Sequence, residues 1–409
     1  MRIQPNDSLK ELIFKIPKTD LHCHLDGSIR IETILDIAQK EKIFLPSDSV
    51  AGLNTLLFKD HYNDLEEYLK TFGYSTAVLQ TPENLERIAY ELGQDAQNEG
   101  VRYLEVRFAP QLHINHHMDM EQVLVSVNKG LEKAKKEFNT KPEIQASNEP
   151  PFAYGIIVCA LRSFGPFSEY YKQFIDTLSF SDPKTVFSLC SLELAKGAVQ
   201  IRDKLGIPIV AFDLAGAEKG NPAKDHWQAF QYAHANFMAK TVHAGEAYGA
   251  PSIFQAITEL HAERLGHGYY LFDENKIDDP TIKDKKAYIH NLVQHIADRR
   301  ISIEVCLTSN MQTNPSIGEV KNHAFKEMLK NRLSATFCTD NRTVSKTTVT
   351  NEILLAIENF NLSPHRLKNL IIYGFKRSFY FDSYMEKRKY VRQCIDFYES
   401  LVKGTDLEA

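Results

Sequence analysis

Short apolar runs rich in β-branched residues alternate with longer stretches of helical periodicity along most of the chain. Turn residues follow these runs and a helical pattern separates most of them, which is typical of strands in a parallel sheet. The predicted strands are residues 19–28, 101–108, 154–160, 208–213, 240–243, 264–267, 301–306 and 334–339. Eight strands interleaved with helices predict an α/β fold, a (β/α)8 TIM barrel with extra helices. An open doubly wound sheet is the alternative, although no glycine-rich phosphate loop follows any of these strands.

Between the strands, helical patterns are predicted at residues 31–40, 85–92, 227–238, 287–296, 324–329 and 384–403. Leu65, Leu69 and Phe72 form an apolar stripe within residues 57–75, which either packs in the core or covers the mouth of a pocket as a lid. Residues 141–151, with three prolines, and the histidine-rich residues 111–117 are predicted to be loops.

Composition narrows the class of protein. With 409 residues and 43% hydrophobic content, the chain can form one large core, so residues 1–409 are predicted to be a single domain. The net charge of −5 argues against nucleic acid or an anionic membrane surface as the main partner and favours a small-molecule substrate. The chain has neither a signal-peptide pattern nor a long apolar run, and its six cysteines are scattered without a CxxC pair, which predicts reduced thiols and a cytoplasmic location. Nothing in the pattern predicts an oligomeric state.

The first candidate chemistry lies in the opening stretch. In an extended strand alternate side chains share a face, so His22, His24 and Asp26 are predicted to point the same way. Two imidazoles at this spacing are half of a metal site, or else two histidines that are satisfied within a strand. The histidines of residues 111–117 fall on mixed faces without carboxylate support, which disfavours a metal site there.

The other candidates follow strands at their carboxyl ends, where a barrel of this type builds its site. His243 ends the fifth predicted strand, His267 ends the sixth, and Asp340 follows the eighth. Histidine nitrogens with one aspartate oxygen suit a single Zn²⁺ and leave a position for water, whose pKa the ion lowers toward neutrality. Glu246 is then the candidate for proton transfer, and His267 for orienting the hydroxide. Taken singly, Glu246 is better interpreted as a surface acid and His267 as a core histidine. Their coincidence with the other candidates at strand ends favours the functional interpretation.

Taken together, these motifs resemble the bacterial-type adenosine deaminases of the amidohydrolase superfamily. The matching residues run in family order from residue 18 to about 345, and they occupy positions 22–28, 213–216, 243–246, 263–268, 306–310 and 339–341. The combination is specific, although no one motif is.

The resemblance implies a (β/α)8 barrel with one catalytic zinc, which hydrolyses adenosine, and by extension 2′-deoxyadenosine, to inosine and ammonia in purine salvage. It implies zinc ligands at His22, His24, His243 and Asp340, a proton shuttle to purine N1 at Glu246, and a group beside the attacking hydroxide at His267. It also implies substrate contacts from His24, from Asp26 to the ribose 5′-hydroxyl, from the Gly216 backbone to N3, and from Asn341 to N7. Asp213 matches a residue that supports the metal site from behind.

Two positions bear on the substrate. Much of the family has a second aspartate where this chain has Asn341, whose amide can donate to N7 without first being protonated. Adenine deaminases tend to carry glutamate at the position of Asp26, so the shorter acid favours a nucleoside. Adenine and a 5′-modified adenosine such as aminofutalosine remain alternatives with the same chemistry. An amide-hydrolysing amidohydrolase and a catalytically silent binder are further alternatives.

Overall fold

A parallel sheet of eight strands forms the centre of the molecule, in a computed structural model that describes residue 3, residues 6–166 and residues 169–408. The strands are β1 (Lys18–His24), β2 (Val101–Phe108), β3 (Ala153–Leu161), β4 (Ile209–Ala215), β5 (Ala239–Ala244), β6 (Arg264–His267), β7 (Ser302–Val305) and β8 (Ala335–Phe337). Each strand pairs with the next along the chain. The predicted α/β barrel is confirmed.

The barrel closes just beyond β8. The backbone N–H of His24 donates to the carbonyl of Asp340 at 2.7 Å, and the N–H of Asp340 donates to the carbonyl of His22 at 2.7 Å. This parallel bridge, centred on Cys23 and Asp340, joins the first strand to the end of the last. The alternative of an open sheet is therefore wrong.

Helices surround the barrel. They are α1 (Asp7–Lys15), α2 (Ile31–Glu41), α3 (Val50–Leu56), α4 (Leu65–Lys70), α5 (Phe72–Ala77), α6 (Pro82–Asn98), α7 (Met120–Asn139), α8 (Pro142–Gln145), α9 (Glu169–Thr177), α10 (Pro183–Leu205), α11 (Trp227–Ala235), α12 (Ala250–Thr258), α13 (Lys285–Arg299), α14 (Leu307–Thr313), α15 (Phe325–Lys330), α16 (Val349–Asn359), α17 (Pro364–Arg377) and α18 (Tyr384–Val402). Short 3₁₀ helices lie at Pro110–Leu112, Ala223–His226, Tyr269–Phe272, Glu274–Lys276, Pro315–Ile317 and Val320–Asn322.

Local sequence explains where several helices begin. At α6, the Thr81 side chain accepts from the backbone of the first turn and Pro82 occupies the first position, where its missing N–H costs nothing. At α7, Asp119 and Gln122 form a reciprocal capping box. Among the described residues, none of the helices combines the length and apolar character that a membrane span needs.

Three predicted elements differ from the structure. Asp26 lies in the turn after β1 rather than on the strand, because β1 ends at His24. The predicted loop at 141–151 contains the short helix α8, which Pro142 begins. The apolar stripe of residues 57–75 is divided between α4 and α5, and its three members line a cavity at the carboxyl end of the barrel.

Candidate active site

The carboxyl ends of the strands open into a cavity of about 290 Å³. Its polar end is formed by side chains at or just beyond the carboxyl ends of β1, β3, β5, β6 and β8, and its apolar wall comes largely from α4, α5 and the strand ends. The polar lining residues are His24, Asp26, Ser163, His243, Glu246, His267, Asp340 and Asn341, with Tyr68 on the wall.

Imidazole nitrogens converge on one carboxylate oxygen at this end. The Nε2 atoms of His22 and His24 lie 3.3 and 3.4 Å from Asp340 Oδ1. The Nε2 atoms of His24 and His243 are 3.1 Å apart. Ligand atoms ~2.0–2.1 Å from a tetrahedral ion would be separated by roughly 3.3 Å. The structure thus brings together the four residues for which the sequence predicts metal binding.

The protonation and pairing of these groups fit a divalent cation. Nε2 of His22 is buried and has no hydrogen-bond partner in the protein. Burial lowers the pKa of His24 and of His243, so both rings remain neutral and keep a lone pair for a metal. Burial alone would raise the pKa of Asp340, but the neighbouring His22 imidazole, whose Nε2 lies 3.3 Å from Oδ1, holds it well below its usual range. Burial alone would lower the pKa of His22, but its contacts with Asp340 and Glu304 raise it. The cluster therefore combines an anionic oxygen with two neutral imidazoles and a third that favours a positive charge beside it, a donor set that suits Zn²⁺.

Buried carboxylates hold two of these rings from behind. Nδ1 of His22 is 2.7 Å from Glu304 Oε2, and Nδ1 of His243 is 3.1 Å from Asp213 Oδ2. A carboxylate at Nδ1 fixes the ring and places the lone pair on Nε2, toward the cavity. Arg107 contacts both carboxylates, at 2.8 Å from Glu304 and 3.0 Å from Asp213. The predicted position of Asp213 therefore lies directly behind His243.

Backbone conformation at the site is unusual. His267 and Asp340 have φ values of 63° and 60°, in the left-handed region that residues other than glycine rarely adopt. Such strain persists where the surrounding structure over-determines it, and it concentrates at functional sites. Gly266 is needed for space, because a Cβ there would lie 2.9 Å from Cε1 of the His22 ring.

A third carboxylate holds the turn that carries Glu246. Glu218 is buried and accepts from the backbone N–H groups of Gly245 at 3.1 Å, Ala247 at 2.8 Å and Tyr248 at 3.0 Å, and from the Ser252 hydroxyl. Burial, together with the negative charges of Asp340 and Glu218, raises the pKa of Glu246 to about 8. Glu246 Oε1 lies 3.7 Å from Nε2 of His267. Glu246 can therefore hold a proton at neutral pH inside the cavity.

We expect Glu218→Gln to lower kcat by ~10²-fold, because an amide cannot accept from all of these donors and the turn that carries Glu246 shifts. Steady-state kinetics with quantification of bound metal tests this expectation. Ser252→Ala is the control, since it removes one donor and leaves the three backbone contacts in place. Equal losses in the two variants, or none in Glu218→Gln, would contradict it.

Two polar atoms of the cavity lining are unpaired. Asp26 Oδ1 and Asn341 Oδ1 are both buried without a hydrogen-bond partner. The Asn341 amide nitrogen donates to the Tyr68 hydroxyl at 2.7 Å. Gly216 has φ 93°, a backbone conformation that turns the chain beside the cavity directly after β4. Substrate contacts from these residues remain predictions.

Several functional candidates were not found from the sequence. Glu304 and Arg107 lie in apolar strands, where a charged residue is itself a signal of an internal ion pair. Glu218 and His323 have no local signal, because their partners are distant in sequence.

Two overlapping sets of residues could bind a metal. One set is His22, His24, His243 and Asp340. In the other set His267 takes the place of His24, and the ligand atoms of these four residues lie within 4.8 Å of one another.

Comparisons with known proteins identify relatives of this chain. A family model described as adenosine deaminase matches residues 17–163 and 182–396. The chain is 35% identical over 371 residues to an adenosine deaminase of Mycobacterium avium (strain 104), which covers 90% of this chain and 92% of that protein.

Two solved structures share the fold. The adenine deaminase of Arthrobacter aurescens is 21% identical, with a TM-score of 0.69 over 93% of this chain and 98% of that chain. The N6-mAMP deaminase of arabidopsis is 24% identical, with a TM-score of 0.71 over 94% of this chain and 99% of that chain.

Proposed function

The chain belongs to the adenosine deaminase family, and on this premise we propose that it hydrolyses the 6-amino group of adenosine, and of 2′-deoxyadenosine, to give the inosine product and ammonia. The observation that carries the proposal is the position of Glu246. Its carboxyl, with a pKa raised to about 8 by burial, faces the same cavity as the cluster of imidazoles and Asp340. A proton donor beside a metal-binding cluster is what hydrolytic deamination of a purine needs.

We propose that His22, His24, His243 and Asp340 hold one Zn²⁺ per chain. When bound, the ion supplies a water of near-neutral pKa as the nucleophile. Glu304 and Asp213 keep Nδ1 of His22 and His243 occupied, so each ring offers Nε2 to the ion.

The six cysteines are free and buried, which supports the proposed cytoplasmic location.

In the reaction, the oxygen of water forms a bond to C6, and the bond from C6 to the amino nitrogen breaks to release ammonia. The ring nitrogen N1 gains a proton as C6 becomes tetrahedral, and the leaving nitrogen gains another. We assign the first transfer to Glu246, whose carboxyl is protonated at neutral pH. The resulting carboxylate can then take up a proton from the attacking water and pass it to the amine. The remaining proton of the C6 hydroxyl returns to Glu246 as the C6 carbonyl forms, which restores the protonated carboxyl. His267 lies 3.7 Å from Glu246 and is placed to orient the attacking oxygen.

The cavity favours a nucleoside over a nucleotide. Asp26 Oδ1 is a buried acceptor without a partner, which suits a ribose hydroxyl. Among the described residues that line the cavity there is no lysine or arginine to pair with a phosphate. Burial and the charge of Asp340 already raise the pKa of Asp26 to about 7, so the site resists further negative charge.

We therefore expect kcat/KM for AMP to be ~10²- to 10³-fold below that for adenosine, because burying a phosphate without a cationic partner costs several kcal/mol. Parallel kinetics with adenosine, 2′-deoxyadenosine, adenine and AMP tests the preference. Asp26→Asn is the matched variant. It should lower kcat/KM for adenosine and thereby reduce the ratio of kcat/KM for adenosine to kcat/KM for AMP. Adenine as the best substrate would favour the alternative reading, and AMP as the best substrate would contradict the prediction.

The metal assignment predicts that chelator-treated protein loses deamination of adenosine, measured as the fall in absorbance of the substrate, and that added Zn²⁺ restores it. Elemental analysis of the purified protein should give one zinc per chain. Undiminished turnover after the metal is removed, or two metals per chain, would oppose the proposal and favour a different hydrolase of the superfamily.

A further inference from the structure

We propose that His323 and Asn310 form a relay that fixes the proton of His267 on Nε2, which makes His267 a hydrogen-bond donor into the cavity and excludes it from the metal ligands. Neither relay residue lines the cavity. The proposal concerns the same site as the proposed function, and its catalytic consequence rests on that function, whereas the protonation pattern itself does not.

The relay begins at a backbone N–H group, which sets the protonation of His323. The backbone N–H of Phe325 donates to Nδ1 of His323 at 3.0 Å. A backbone amide can only donate, so Nδ1 of His323 must be the unprotonated acceptor. A neutral His323 ring therefore carries its proton on Nε2.

The Asn310 amide links His323 to His267 and transmits the donor and acceptor roles from one ring to the other. Nε2 of His323 lies 3.2 Å from Asn310 Oδ1, so the ring donates to the amide oxygen. The amide is then oriented with its nitrogen toward His267, and Nδ2 of Asn310 donates to Nδ1 of His267 at 3.2 Å. Because Nδ1 of His267 accepts, the proton of the neutral ring lies on Nε2.

Burial keeps the relay in one state. The His323 and His267 side chains and Asn310 are almost completely buried, so water does not compete for these bonds. Burial lowers the pKa of His323 to about 3. The His323 ring is therefore neutral across the working pH range, and protonation at the start of the relay does not reverse it.

This arrangement separates the two overlapping sets of metal-binding groups. A metal ligand must offer a lone pair, and an Nε2 that bears a proton has none. His267 is thereby left to donate to an oxygen in the cavity, while His24, at 3.1 Å from His243 and 3.4 Å from Asp340, completes the metal-binding set. His323 and Asn310 are positioning residues, since they act through His267.

The protonation pattern is measured directly by two-bond ¹H–¹⁵N NMR on the metal-loaded protein labelled with ¹⁵N-histidine, with His267→Gln used only to assign the signal. We expect the pattern of a ring with its proton on Nε2 for both His267 and His323. A proton on Nδ1 of His267 in the wild-type protein would overturn the proposal, whatever the behaviour of any variant.

A matched pair of variants tests the relay. His323→Phe keeps a ring but removes the donor, whereas His323→Gln places an amide N–H near the position of Nε2. We expect His323→Phe to mix the two tautomers of His267 and to lower kcat by ~10- to 100-fold, with KM and zinc content little changed. His323→Gln should recover most of both properties.

An unchanged His267 tautomer in folded His323→Phe would overturn the relay, and so would equal kcat losses in the two variants. If the spectra match expectation but wild-type protein deaminates no 6-aminopurine, the proposed function fails while the relay stands. If deamination is observed but the proton of His267 lies on Nδ1, the relay fails while the proposed function stands.

Discussion

Glu246→Gln is expected to lower kcat for adenosine by ~10²- to 10⁴-fold while zinc remains bound. Glutamine has nearly the same shape as a protonated glutamic acid, so it can occupy the same place and keep a hydrogen bond to the purine. It cannot, however, give up a proton and take one back. The loss should therefore fall on kcat, with KM changed little.

The measurement is steady-state kinetics on protein of verified zinc content. Asp26→Asn is the comparison, because it likewise replaces a buried carboxyl of the cavity whose pKa is raised by burial with an amide, yet its proposed contact is to ribose. That variant should raise KM more than it lowers kcat. A Glu246→Gln protein with near-normal kcat would show that the proton passes through another group.

Glu304→Gln is expected to lower both the free energy of unfolding and the affinity for zinc. The Glu304 carboxylate is fully buried between two guanidinium groups, at 2.8 Å from Arg107 and 2.7 Å from Arg264, and it also holds Nδ1 of His22 at 2.7 Å. Removing one partner of a buried ion pair costs about 3–5 kcal/mol, because the remaining charges lose their compensation. Removing the carboxylate behind a metal-binding histidine costs ~10- to 100-fold in metal affinity.

Glu105→Gln separates the two effects. Glu105 is also buried and pairs with Arg264, but no contact joins it to His22. Denaturant unfolding of the metal-free proteins should show comparable losses of stability in the two variants. Competition titrations with a zinc chelator should show weaker binding only in Glu304→Gln. If both variants bind zinc equally weakly, Glu304 acts through the fold rather than through His22.

The strands could be predicted from the sequence, and so could the clustering of polar residues at their carboxyl ends, because both depend on local signals. Parallel strands are short apolar runs, and polar residues such as His243 and His267 stand at their carboxyl ends. Where prediction failed, the cause was local geometry. β1 was predicted through residue 28, but the chain turns after His24 and packs Gly27 against Asn341, where a Cβ would lie 1.8 Å from the amide oxygen.

The supporting groups were missed for a different reason. Glu304 reaches His22 only because β7 lies in a register that places it beside Gly266, and His323 reaches His267 only through Asn310 on α14. Such contacts join residues far apart in the sequence and depend on the relative alignment of several elements. A single sequence specifies that alignment only through the finished fold.

The hydrogen-bonded bridge that joins β1 to Asp340 also determines at what stage of synthesis the site can form. A ribosome delivers His22 early and Asp340 only after more than three hundred further residues, and a domain generally folds as a unit. On the proposed assignment, a nascent chain therefore carries an incomplete set of ligands until Asp340 has been synthesised. We expect fragments that end before β8 to be inactive.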